Sequence, residues 1–190
     1  MRRTLRAMLF SLLLISSLGL AGFVTYRLKT FNDHFERIKT ADEKVIAQLN
    51  KIRIAQKTYL EVHGTYAPTW DTLIVFINQG QLPIIQTTEA IITLPNGQDS
   101  LSIVIDTLAI VPTYDSLRSE LGYTKAQMFQ LSSVPLSEET FDLYTGSRQG
   151  QQFIEVKDPN PINPKRQTNG ALKPLRFGSK AAATTKGNWE

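Results

Sequence analysis

The chain opens with an apolar stretch that lies between two basic clusters. Residues 7–26 contain no charged side chain, and five basic residues flank them: Arg2, Arg3 and Arg6 before, Arg27 and Lys29 after. The stretch is about as long as a helix that crosses a bilayer core. Its ten strongly apolar residues favour insertion by about 3–6 kcal/mol in total, at roughly 0.3–0.6 kcal/mol each. The pattern predicts a transmembrane helix over residues 7–26.

The basic residues also predict the orientation of this helix. Three arginines within residues 1–6 favour a cytoplasmic N-terminus, so the rest of the chain is expected in the periplasm as part of a single-pass inner-membrane protein. A cleaved signal peptide is the alternative, because Gly19-Leu20-Ala21 offers small residues at a cleavage site. The apolar run continues beyond that site to Tyr26, which favours a retained anchor.

A second hydrophobic pattern follows in residues 27–63. Between Leu28 and His63 there is neither proline nor glycine. Apolar residues recur in steps of three and four: Ile38, Ala41, Val45, Leu49, Ile52, Ala55, Tyr59 and Val62. This spacing predicts an amphipathic helix that continues the membrane segment as a stalk. If the rod is broken, we expect the break in the more polar stretch from Thr30 to Thr40.

A shorter helix is predicted after a glycine. Gly64 suits the left-handed residue that ends a helix, and Thr69 can cap a new one. Its apolar residues are Leu73, Ile74, Phe76 and Ile77, and Gly80 ends it. We expect the two helices to pack through four side chains: Tyr59, Tyr66, Trp70 and Leu73.

Beyond Pro83 the apolar period changes to that of strands. Glu89–Leu94 and Leu101–Thr107 predict a β-hairpin around Asn96-Gly97. Further expected elements are a helix at Tyr114–Leu121, a second one at Tyr123–Phe129, and strands at Gln130–Val134 and Gln152–Lys157, with Gly146 and Gly150 marking a turn. The fold class is therefore α+β, with a small, mainly antiparallel sheet in a domain that spans residues 64–157.

Residues 158–190 are predicted to form a basic, extended tail. The segment Asp-Pro-Asn-Pro-Ile-Asn-Pro is linker-like in composition. Leu172–Gly178 is apolar enough to dock as an edge strand, and we expect mobility after Ser179. From residue 160 onward there are six basic residues and one acid, a net charge of +5, so the rest of the chain is slightly acidic and the tail accounts for the whole excess of +4.

Composition narrows the function classes. The chain has no cysteine, which excludes disulfides, thiolate metal sites and cysteine nucleophiles. Because the positive charge lies in the tail and the domain is expected to be exported, nucleic-acid binding is disfavoured. No partner class follows from composition alone.

Candidate catalytic chemistry is sparse. The two histidines, His34 and His63, are about eight helical turns apart and cannot share a metal, and His63 suits the C-terminal end of a helix. No nucleophile elbow, Walker loop, dinucleotide fingerprint or zinc-protease motif is present. The nearest carboxylate groups for glycan hydrolysis are Glu138, Glu139 and Asp142, or Asp106 with Asp115. We therefore predict no enzyme activity, no cofactor and no metal.

Several segments resemble known families. Residues 52–59, Gly64-Thr65-Tyr66, Trp70 and Leu82-Pro83 are similar in layout to type IV pilins and type II secretion pseudopilins. With Asp106-Thr107, Val111-Pro112, residues 115–117 and the terminal residues 187–190, they resemble a family of uncharacterised single-span envelope proteins of Bacteroidota. The resemblance implies an anchored α+β domain. Pilins carry a glutamate five residues after the leader glycine; the position after Gly22 that matches is Arg27, so fibre assembly is disfavoured.

The leading functional hypothesis is a non-enzymatic, membrane-anchored periplasmic subunit or accessory protein of a cell-envelope assembly for secretion, motility or outer-membrane biogenesis. It would act through protein–protein contacts with other envelope proteins. Six residues are the predicted partner contacts: Ile38, Val45 and Leu49 on the stalk, and Lys173, Arg176 and Phe177 in the tail. A pseudopilin-like fibre subunit and a membrane-anchored glycan or peptidoglycan hydrolase are the alternatives.

Overall fold

The first element is a single long helix. The computed structural model describes the backbone of residues 2–93 and 99–190 and the side chains of residues 13–88 and 106–190. Helix α1 runs Arg2–His63, which is 62 residues or roughly 93 Å at about 1.5 Å per residue. It is unbroken between Thr30 and Thr40, where the sequence allowed a bend. It ends before Gly64, whose φ of 71° confirms the predicted left-handed cap.

The predicted membrane segment, residues 7–26, lies partly outside the described side chains, because those of residues 7–12 are not included. Within the part of the chain that is described, none of the helices has a segment both long enough and apolar enough to cross a membrane.

Helix α2 (Trp70–Gln79) packs across the end of α1 as predicted. The backbone N–H of Thr72 donates to the Thr69 hydroxyl at 3.2 Å, which confirms Thr69 as the cap. The Tyr59 and Phe76 rings meet edge to face with centroids 5.0 Å apart. Tyr66 and Leu73 are buried at this contact. These side chains fix the corner between the stalk and the domain.

The first sheet is a two-stranded hairpin of β1 (Gln81–Thr93) and β2 (Asp99–Pro112). Both strands extend well beyond the segments predicted from sequence, and Pro83 lies within β1. The ladder is antiparallel, with a register shift between Ile84 and Ile85. The predicted Asn96-Gly97 turn lies outside the described residues.

Helix α3 (Thr113–Leu121) confirms the helix expected from Tyr114. A 3-10 helix (Lys125–Ser132) follows, and it overlaps the segment Gln130–Val134 that the sequence predicted as a strand. That prediction is wrong because Thr124 and Gln127 form a capping box, which starts a helix instead. Only Ser133 makes a β-bridge there, with Thr140.

The second sheet contains β3 (Asp142–Arg148), β4 (Gln151–Lys157) and β5 (Arg176–Gly178) in that spatial order, all antiparallel. Strand β4 confirms the predicted Gln152–Lys157, and β5 confirms the docking of Leu172–Gly178 over its last three residues. Gly146 lies inside β3, so the turn is made by Gln149 and Gly150 alone.

One hydrophobic core joins the second half of α1 to these elements. Its fully buried large side chains are Leu49, Ile52, Leu73, Ile77, Leu121, Met128, Leu131, Phe141, Ile154, Leu175 and Phe177. The fold is therefore α+β, with a long N-terminal helix and two small antiparallel sheets, and the first half of α1 lies outside its core.

Candidate interaction surfaces

The stalk residues predicted to bind a partner lie mainly in the core. Val45 and Leu49 are buried against the domain's own helices and strands. In this fold they have no surface left for another protein, which corrects the prediction. The apolar spacing that identified them reflects packing within the domain. Ile38 is half-buried and lies where α1 leaves the domain.

The three tail residues predicted to bind a partner also differ in how far they are buried. Phe177 is fully buried in β5, so it too belongs to the core and its predicted partner role is corrected. The half-buried Arg176 donates to the Glu155 carboxylate at 2.6 Å, and this contact explains its position. Lys173 is exposed.

The tail is bound to the stalk and the second sheet over much of its length. The Arg166 guanidinium and the Asn163 amide both donate to one oxygen of Asp42 on α1, at 2.9 and 2.8 Å. Lys180 lies 4.0 Å from the second oxygen of Glu155. Much of the tail's positive charge therefore faces carboxylates of the same chain.

The last four residues return to α1, whereas the sequence predicted mobility after Ser179. Trp189 packs on the core, with the Arg53 guanidinium 6.0 Å from its ring centre. The Glu190 carboxylate accepts a hydrogen bond from Arg53, and this contact holds the pKa of Glu190 below its usual range. Gly187 forms a β-bridge with Phe177. The C-terminus is thus a packed part of the domain.

The residues considered for catalysis lie at the surface. Glu138, Glu139, Asp142, Asp106 and Asp115 are all exposed. Asp142 pairs with Lys157 across the β3–β4 ladder at 3.1 Å. Within the described residues, no group of three or more histidine and acidic side chains is arranged to hold a metal ion.

Two buried glutamines have structural partners that sequence reasoning missed. The Gln48 amide donates to the carbonyls of Gln130 and Leu131 at 3.0 and 2.9 Å and accepts from the Tyr123 hydroxyl at 2.8 Å. Gln56 donates to the Ala67 carbonyl and accepts from the Ala67 N–H. Both satisfy backbone groups inside the core, so neither side chain is available for a ligand.

The first half of α1 exposes large apolar side chains. Between residues 13 and 26 they occur on every side of the helix: Leu13, Leu14, Ile15, Leu18, Leu20, Phe23, Val24 and Tyr26. Beyond Tyr26 the exposed apolar side chains are confined to one side, as Leu28, Phe31 and Phe35, and the half-buried Ile38 continues that side. We call these four residues the stalk stripe. The change from an all-round to a one-sided pattern occurs within one helical turn.

The β1–β2 hairpin exposes apolar side chains on a two-stranded ribbon. Ile84, Ile85, Leu108 and Ile110 have 45, 55, 59 and 64 % of their surface accessible. An isolated two-stranded hairpin is at best marginally stable in water. The hairpin is therefore a second surface suited to contact with another molecule.

Comparison of the chain with family models, curated proteins and solved structures finds no match in any of the three.

Proposed function

We propose that the protein is a non-enzymatic, membrane-anchored subunit or accessory protein of a cell-envelope assembly that acts through protein–protein contacts. The observation that carries the proposal is the first half of α1. Its apolar side chains between Leu13 and Tyr26 face every direction and lie outside the core of the fold. A helix that is apolar on all sides needs an apolar surrounding, and a bilayer supplies one.

The proposed topology follows from the basic residues at the N-terminus. Arg2, Arg3 and Arg6 favour retention of the first residues in the cytoplasm. The α+β domain would then lie in the periplasm, with residues 7–26 as the single membrane-spanning segment. The expected family resemblance, to single-span envelope proteins of Bacteroidota with a pilin-like layout, is consistent with this arrangement.

A role in protein–protein contact is supported by the surfaces beyond the membrane segment. The stalk stripe and the hairpin both present large apolar side chains to water. Contiguous exposed apolar patches are typical of sites where proteins bind other proteins or membranes. The groups considered for catalysis are exposed, and no observation favours the hydrolase alternative.

Affinity purification of the full chain after mild solubilisation of membranes tests the proposal. We expect recovery of a defined complex in which other envelope proteins occur at constant stoichiometry. A variant in which Ile85 and Leu108 are replaced by serine should lose partners without losing its own yield, because both side chains are exposed. Recovery of the protein alone, as a monomer, contradicts the proposal.

A further inference from the structure

We infer that the stalk stripe is a docking site for a helix of another protein whose own apolar stripe is bordered by acidic residues. This inference rests on the proposed membrane anchoring and adds the chemical class of the partner. Its starting point is the spacing of Leu28, Phe31, Phe35 and Ile38, which alternates steps of three and four as the seam of a coiled coil does.

The same seam continues into the core of the domain. Val45, Leu49 and Ile52 continue the same side of the helix one heptad beyond Ile38, with Asp42 at the intervening seam position, and there the domain's own elements cover it. Toward the membrane the covering stops: Phe31 and Phe35 have 71 and 53 % of their surface accessible. Because the four stripe residues lie within roughly 80° of the helix circumference, a single neighbouring helix is wide enough to cover them.

The distance from the membrane argues against lipid as the cover of Phe35 and Ile38. Helix α1 is continuous, so Phe35 lies nine residues or roughly 13 Å beyond Tyr26 along the axis at about 1.5 Å per residue. The headgroup layer of one leaflet is only about 5–8 Å thick. Even at a tilt of about 40°, Phe35 and Ile38 remain beyond that layer.

The charges that border the stripe identify the kind of helix that fits. At about 100° per residue, Arg27 and His34 lie along one side of the stripe, and Lys39 lies along the other. The acids of this segment, Asp33 and Glu36, lie on the far side of the helix. A partner with glutamate or aspartate at its flanking positions would pair with Arg27 and Lys39, as flanking charges do in coiled coils.

The same charges disfavour a second copy of this chain as the partner. Two anchored copies would run parallel, and a parallel pair would place Arg27 opposite Asn32 and His34 opposite Lys39. No acid of either copy would face a cation of the other. The seam is also short, about three helical turns, so anchoring of both proteins in one membrane would strengthen the contact by raising their effective concentration.

The test uses the full chain in phosphatidylcholine vesicles and two synthetic helical peptides with the same leucine and isoleucine seam. One peptide has glutamate at its flanking positions, and the other has lysine. By fluorescence anisotropy we expect the glutamate peptide to bind at least about tenfold more tightly at low salt. The difference should narrow as salt is raised, because the flanking pairs are exposed.

Charge-reversal variants sharpen the test. Arg27→Glu with Lys39→Glu should invert the preference between the two peptides. The matched control, Lys29→Glu with Arg37→Glu, makes the same change in net charge away from the stripe and should leave the preference in place. Phe31→Ser with Phe35→Ser should abolish binding of both peptides.

Three results would overturn the inference. One is equal binding of the two peptides. Another is near-complete formation of a disulfide-linked dimer by the Phe35→Cys variant, which would identify a second copy as the partner. The chain has no other cysteine, so such a disulfide could form only at this position. The third is quenching, by brominated acyl chains, of a fluorophore attached to the thiol of the same variant, which would identify lipid. If the protein resists alkaline extraction while any of these is seen, the anchoring proposal stands and the inference alone fails.

Discussion

At the scale of single residues, buried polar side chains complete the core. Gln48 links α1 to the 3-10 helix, Gln56 holds the turn after α1, and Asp158 lies buried at the start of the tail. A buried polar group that loses its partner costs more than a typical hydrogen bond contributes. Substitutions at these positions should therefore have large effects although none of them is near a proposed interaction surface.

Replacement of Gln56 by alanine should destabilise the protein by about 2–4 kcal/mol, because the N–H and C=O of Ala67 would both be left buried without a partner. Thermal unfolding of the full chain in detergent, followed by tryptophan fluorescence, measures the effect. The control is Gln86→Ala, an exposed glutamine on β1 that should change stability by less than about 0.5 kcal/mol. Equal stability of the two variants would show that the Gln56 contacts contribute nothing.

Asp158→Asn should stabilise the protein at neutral pH. Burial raises the pKa of Asp158, and the carboxylates of Asp42, Asp142 and Glu139 raise it further, whereas the backbone N–H of Asn160 opposes them. A raised folded-state pKa means that stability is lost as pH rises from the usual aspartate range through that pKa. The neutral asparagine side chain carries no charge that burial would penalise, and its amide oxygen can still accept a hydrogen bond from the backbone N–H of Asn160.

The advantage of Asp158→Asn should therefore shrink as pH falls through the raised pKa toward the ordinary range of an aspartate. Unfolding curves at pH 7 and at pH 4 provide the comparison, with Asp106→Asn, an exposed residue on β2, as the control. An advantage that is independent of pH would contradict the assignment of the effect to this carboxyl.

At the scale of elements, two segments differ from what their sequences suggest. The tail reads as a loose basic linker, yet its ion pairs with Asp42 and Glu155 and its terminal contacts with Arg53 bind it to the domain. The β1–β2 hairpin was expected to belong to one small antiparallel sheet, yet it forms a sheet of its own beside the second sheet. The tail is part of the folded unit, and the hairpin is an extension of it.

Trp189→Ala should detach the C-terminus. Loss of the ring's packing on the core and of its contact with Arg53 is expected to cost about 1–3 kcal/mol. Limited digestion with trypsin should then cut faster at Lys180 and Lys186. Thr168→Ala, an exposed change in the same tail, is the control. Unchanged cleavage rates in Trp189→Ala would show that the terminal residues are not retained by this contact.

Replacement of Leu108 and Ile110 by serine should leave stability within about 0.5 kcal/mol per site, because both side chains are exposed. The same variant should lower the size of the solubilised complex on native gels, since it removes two of the exposed apolar side chains of the hairpin. Thr87→Ser, an exposed change on the neighbouring strand, serves as the control. A complex of unchanged size would exclude these hairpin residues as a contact surface.

At the scale of the whole molecule, α1 is the organising feature. Its second half supplies one wall of the core, and its first half lies outside the domain as an apolar rod. The domain begins to cover α1 at about Ala41, fifteen residues or roughly 22 Å beyond Tyr26. In the proposed arrangement the stalk holds the domain clear of the membrane and leaves the stalk stripe accessible beneath it.

Sequence patterns predicted the helices and strands better than they predicted which of their side chains are buried. The three-and-four spacing identified α1, and Gly64 and Thr69 identified the corner, because caps and periodicity are local properties. The same spacing did not distinguish Leu49, which the domain covers, from Phe35, which it leaves exposed. That difference depends on where α3, the 3-10 helix and the tail pack. The assignment of Phe177 failed for the same reason, because burial in β5 is set by distant residues.

The most direct test of the anchoring proposal is alkaline carbonate extraction of cell membranes, combined with a periplasm-dependent reporter enzyme fused after Glu190. We expect the full chain to remain in the membrane pellet, with the reporter active. A variant with Leu13, Leu14, Ile15 and Leu18 replaced by serine should be released. Release of the unaltered protein into the soluble fraction, or a reporter that is active only in the cytoplasm, would contradict the account.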